Sequence, residues 1–277
     1  MSCSMGKMGT GLATDCRRIP VHTVSLLKKK GSIFYASLPH AGESLEECKT
    51  SGEEDKLRLV TVLWAHLMTM QNPLWKRYYL SGNEDLPIRV VCNQLGKPYL
   101  LLGEDQGPAI SFSEGGGKFW AALCGDGPEI GIDMAGPYEF KGEYPFHRVF
   151  HEHELRHALG LTLGDMEQAS ALLWSVKEAA LKAIGCAFHM VEPRQVNVYR
   201  SVASEGMYAF PVRISGITLE HLHTGDLRCM WAYSLPQRQG WFSIAHLDRN
   251  VHEQGFAYLN QPDIGRGLKI KRERMND

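Results

Sequence analysis

KFWAALCGDGPEIGIDMA, Lys118 to Ala135, sets two apolar runs around a short polar break. "KFWAALCG" and "EIGIDMA" are rich in β-formers, and "GDGP" between them is a strong turn signal. The pattern predicts a β-hairpin. Upstream, "SIFYASL" (Ser32 to Leu38), "LPIRVVCNQ" and "GKPYLLL" read as strands. "DKLRLVTVLWAHLMTM" repeats apolar residues at 57, 60, 64, 67 and 68, a helical period. Downstream, "EHELRHALGL" is a short helix candidate, and "LRCMWAYSL" and "GWFSIAHL" are two strands joined by "PQRQ". Helices segregated from hairpins place the chain in the α+β class rather than among doubly wound α/β folds.

The chain has 277 residues, 44% of them hydrophobic, enough for a substantial core. Thirty basic and 31 acidic residues leave a formal charge of −1, which argues against a general nucleic-acid binder. The seven cysteines form no CxxC pair, so a zinc ribbon or thioredoxin-type site is not expected, and reduced thiols in the cytoplasm are. No apolar run is long enough to span a membrane, and "MSCSMGKMGTGLATDCRRIP" lacks the apolar core of a signal peptide. Residues 1–18 read as a mobile segment and 251–277 as a C-terminal extension, whose basic end "GLKIKRERMND" reads as a solvated terminus.

The stretch "LLWSVKEAALKAIG", Leu172 to Gly185, reads as an amphipathic helix. Asp165 can cap its start with Gln168 as capping-box partner, and Gly185 can stop it. Leu172, Val176, Ala179, Ala180 and Ala183 share the core face, whereas Trp174, Glu178 and Lys182 follow one another at i,i+4 on another. Glu178 and Lys182 form either a surface pair or, beside a tryptophan, part of a cleft in which the carboxylate meets a metal ion. Asp133 offers a second carboxylate. It is either a turn former at a strand end or, together with Glu178, half of a Mg²⁺ site, since Mg²⁺ takes one or two carboxylates and fills its octahedron with water and phosphate oxygen.

"IGID", followed 45 residues after its aspartate by the glutamate of "WSVKEAALKAIG", resembles the 4′-phosphopantetheinyl transferases of the surfactin-synthetase-activator type. Their pattern is G-[IV]-D, then W-[SAT]-x-K-E-[AS]-x-x-K. "EDKLR" is similar to their E-D-x-x-R element and matches Arg58. "GKPYL" is similar to their G-K-P element and matches Lys97. "ISFSEGGGKFWAAL" stands where they have N-[IV]-S-H, and "MWAYSLPQRQGWFSIAHL" resembles their closing hairpin.

The resemblance implies a pseudo-dimer of two similar α+β halves, 19–127 and 128–250, acting as a monomer with coenzyme A in the cleft between them. It implies transfer of 4′-phosphopantetheine to a serine of an acyl or peptidyl carrier protein, releasing 3′,5′-ADP. Asp133 and Glu178 would hold Mg²⁺, Glu178 would act as base, and Lys182 would stabilise the leaving phosphate. Arg58, Lys97 and Ser113 would contact coenzyme A. Lys177 either joins them or has a structural role. Two positions depart from the pattern. Ala135 replaces a carboxylate often found two residues after the metal-binding aspartate, and Glu114 replaces the histidine of S-H. Glu114 is therefore expected either as a compensating metal ligand or as a side chain facing solvent. A non-catalytic relative that binds coenzyme A or carrier proteins is the competing expectation.

Overall fold

The computed structural model describes residues 19–26, 32–40, 48–80, 87–125, 129–186, 188, 190–215 and 229–247. The segment 1–18 and the extension 251–277 lie outside them. The first part of the chain forms β1 (His22–Ser25), β2 (Ser32–Pro39), helix α1 (Cys48–Thr69), β3 (Ile88–Cys92), β4 (Pro98–Leu102), β5 (Asp105–Gln106), β6 (Ala109–Gly115) and β7 (Lys118–Cys124). The second forms β8 (Ile130–Ala135), α2 (Glu152–Leu161), α3 (Met166–Ile184), β9 (Val196–Val198), β10 (Val202–Ser204), β11 (Met207–Ile214), β12 (Cys229–Gln237) and β13 (Gly240–His246). Mixed helix and antiparallel strand agree with the α+β class.

One sheet has the order β1-β2-β7-β6 and a second β10-β11-β12-β13-β8, with β9 also paired to β11. A small third sheet is β3-β4-β5. Strand alternation then builds four layers. Phe34, Ala36, Ala121 and Leu123 pack with Leu59, Val60 and Leu63 of α1. The opposite faces, Tyr35, Trp120 and Ala122, pack against Ile132, Phe242 and Ile244 of the second sheet. The far face of that sheet, with Ala135, Ala232 and Ala245, is covered by α3. Trp120 and Phe242 stack across the middle with ring centroids 4.5 Å apart.

The predicted hairpin is not formed. β7 pairs with β2 and β6, while β8 pairs with β13, so the two runs lie in different sheets and face each other across the middle layer. The physical reason is burial. Every residue of β8, and all of β7 after Lys118, is buried. Strands covered on both faces read as continuous apolar runs. Such runs at the two ends of a turn signal fit stacked layers as well as a paired hairpin. The closing strands β12 and β13 do form the expected antiparallel hairpin.

Candidate functional site

Helix α3 carries the expected caps. Asp165 accepts from the Gln168 amide at 3.0 Å, and Gly185 ends the helix at φ 76°. The reciprocal half of the capping box is absent, because the Gln168 side chain accepts instead from Trp241 Nε1 at 3.0 Å. Gly131 lets this helix lie directly on β8. A Cβ there would stand 2.1 Å from the Ala179 carbonyl oxygen and 2.3 Å from the Ala183 nitrogen. The glycine of "IGID" is thus a contact point between strand and helix backbones, and Asp133, two residues on, emerges on the same face.

That close approach brings Asp133 and α3 together. Lys182 Nζ donates to Asp133 Oδ1 at 2.6 Å, and Ser113 Oγ donates to the same oxygen at 3.2 Å. Ser113 also accepts from the Met134 amide at 3.1 Å, and Ser111 from the Ile132 amide at 3.1 Å. Burial, and then the charge of Asp133, hold the Glu178 carboxyl above its ordinary value against the pull of Lys182. Glu139 joins the same field. It is raised by burial and by Asp133, while its Oε1 accepts from the Gly136 amide at 2.7 Å.

Asp133 and Glu178 are both hard oxygen donors, and the charge of Asp133 raises the proton affinity of Glu178; such a pair fits a divalent cation such as Mg²⁺. Among the described residues no group of three or more His, Cys, Asp or Glu side chains is arranged to hold a metal. Asp133 and Glu178 would therefore hold such an ion with water and ligand oxygen.

Beside this cluster is a cavity of about 280 Å³, whose walls include Lys56, Lys97 and Lys182 with Ile110, Phe112 and Ile130. It is bounded by α1, β3, β4 and β6 on one side and by β8 and the end of α3 on the other. Lys97 reaches across it, donating to Ala183 O at 2.7 Å and pairing with Glu129. Arg58 is not on the cavity wall. Its guanidinium lies 3.4 Å from Asp55 Oδ1.

Lys177 and Glu114 also stand away from the cluster. Lys177 is fully buried, 2.9 Å from Glu154 Oε2, and donates to the carbonyls of Pro193 at 2.9 Å and Val196 at 2.8 Å. It ties α3 to α2 and β9, with no surface left for a phosphate. Glu114 follows Ser113 on β6, so strand alternation turns it to the opposite face. Its side chain is 66% exposed and 3.5 Å from His40 Nε2, and the compensation for Ala135 expected of it finds no support in this geometry.

Sequence reasoning missed Glu139, Lys56 and Ser111. Glu139 had a local signal, because Gly-Pro followed by a glutamate three residues after the glycine is a one-turn helix start. Lys56 lies inside the "EDKLR" element, where the resemblance points only to the arginine. Ser111 had no signal, since its partner is an amide 21 residues away.

Residues 129–231 match the family model of the 4′-phosphopantetheinyl transferase superfamily. Asp133, Glu178 and Lys182 fall inside that segment, and Arg58, Lys97 and Ser113 fall before it. Over that segment the chain is similar to the 4′-phosphopantetheinyl transferase superfamily. No curated protein matches the chain. Among the described residues, no helix is long and apolar enough to cross a membrane.

Proposed function

We propose that this protein transfers 4′-phosphopantetheine from coenzyme A to a serine hydroxyl of an acyl or peptidyl carrier protein, as a surfactin-synthetase-activator type enzyme. It does so as a cytoplasmic monomer whose two halves are pseudo-symmetric and share coenzyme A between them. One observation carries the reading: Asp133, Glu178 and Lys182 converge beside a lysine-walled cavity, within the segment that matches the family model.

Asp133 and Glu178 would hold Mg²⁺, which when bound neutralises pyrophosphate charge. Lys97 and Lys182 bind the anionic ligand at the cavity wall. The proton of the carrier serine passes to Glu178, which serves as the general base. The serine oxygen bonds to the pantetheine-side phosphorus, the bond from that phosphorus to the bridging oxygen breaks, and 3′,5′-ADP leaves with the electron pair. Lys182 offsets the charge that appears on the leaving phosphate. Ser113 holds Asp133 in place.

The test is incubation with coenzyme A, Mg²⁺ and an apo carrier protein, followed by mass spectrometry of the carrier. A gain of one phosphopantetheine group is expected. An unmodified carrier, with coenzyme A still bound by the protein, would overturn transfer and leave the non-catalytic reading that Ala135 and Glu114 favour.

A further inference from the structure

Of the three cavity lysines, two are engaged by carboxylates: Lys97 by Glu129 and Lys182 by Asp133. Lys56 is different. Among the described residues no carboxylate pairs with it. Its ammonium lies instead over aromatic rings, 5.9 Å from the Phe112 centroid and 5.8 Å from that of Phe119. Aromatic faces hold an ammonium in position by cation–π attraction without cancelling its charge. Lys56 therefore presents to the cavity a positioned cation that no carboxylate among the described residues offsets.

Its location matters as much as its charge. Lys182 stands beside Asp133 and Glu178 on the α3 wall, so the reacting pyrophosphate belongs there. Lys56 stands on the wall built by α1 and β6. A ligand that satisfies both walls carries a second anionic group, separate from the one that reacts. Within the transferase reading above, on which this rests, that ligand is coenzyme A and that group is the 3′-phosphate of its ribose. We infer that Lys56, rather than Arg58, is the specificity-determining cation for the 3′-phosphate. Arg58 lies off the cavity wall, close to Asp55, and is a positioning residue for this part of α1.

The experiment compares binding of coenzyme A and of dephospho-coenzyme A, which lacks the 3′-phosphate, by calorimetry. The proteins are the full chain and its Lys56→Gln, Lys56→Arg and Arg58→Gln variants, each checked for fold by circular dichroism. A charge-assisted contact corresponds to about a tenfold effect on affinity. The wild type is expected to prefer coenzyme A about tenfold. Lys56→Gln should lose that preference by weakening coenzyme A alone, and Lys56→Arg should keep most of it. The assignment is overturned if Lys56→Gln keeps the preference, or if Arg58→Gln is the variant that loses it. A wild type that binds neither compound overturns the transferase reading together with this one.

Discussion

Glu178 has two opposed effects in one side chain. Its carboxyl is raised by burial and by Asp133, so the folded protein binds that proton more tightly than the unfolded chain does. This group therefore favours folding at low pH, and its contribution is lost as pH rises through the raised value. Glu178→Gln removes the buried charge, and the metal-free variant should melt higher than wild type at neutral pH in calorimetry with a chelator present. The same variant, like Asp133→Ala, should lower kcat for carrier modification by about 10²–10⁴-fold, because it removes the proposed base and a proposed ligand oxygen. Near-normal turnover in either variant would remove both residues from the mechanism. Lys177 shows the reverse combination. Its ammonium and Glu154 form a fully buried pair, and losing one partner of such a pair costs about 3–5 kcal/mol. Lys177→Ala should lower the urea midpoint accordingly while leaving coenzyme A affinity of the folded fraction unchanged. A variant with normal stability and weakened coenzyme A binding would return Lys177 to the site.

The packing of α3 on β8 depends on a glycine. Gly131→Ala would drive a methyl group into helix backbone atoms, which cannot move aside as a side-chain end can. Overpacking of this kind costs about 1–3 kcal/mol, and a backbone obstacle puts this case at the upper end. The variant should lose transfer activity as well, since the helix would carry Glu178 and Lys182 away from Asp133. Denaturant unfolding and the carrier assay on one preparation test both, and an active, fully stable Gly131→Ala protein would show that the contact is dispensable. The helix itself is legible in the sequence because its signals are local: Asp165, the apolar period and Gly185 all lie within one segment. The partner of β8 is not legible. "EIGIDMA" records that both faces of the strand are buried, but not whether the neighbouring apolar run lies beside it or on top of it. The cluster is half legible for the same reason. Asp133, Glu178 and Lys182 stand in short motifs, while Glu139 and the serines of β6 acquire meaning only when two strands meet.

Between the two sheets, β6 and β8 meet along a seam with no ladder of paired amides and carbonyls among the described strands. The outward amides of Ile132 and Met134 are received by the hydroxyls of Ser111 and Ser113. Replacing either serine by alanine leaves a buried amide without its acceptor, at about 1–3 kcal/mol each. Hydrogen exchange should then speed up at Ile132 after Ser111→Ala and at Met134 after Ser113→Ala, with the β12–β13 amides little changed. Uniform acceleration across both sheets, or none at the seam, would count against this account. Ser113 binds the Met134 amide and Asp133 Oδ1 with one hydroxyl. Heritable variation at this serine is therefore constrained twice. A substitution that loosens the join between the sheets also releases Asp133, the carboxylate proposed to hold the metal. Drift on one side of the seam is then exposed to selection on catalysis as well as on folding, and the two sides must evolve together.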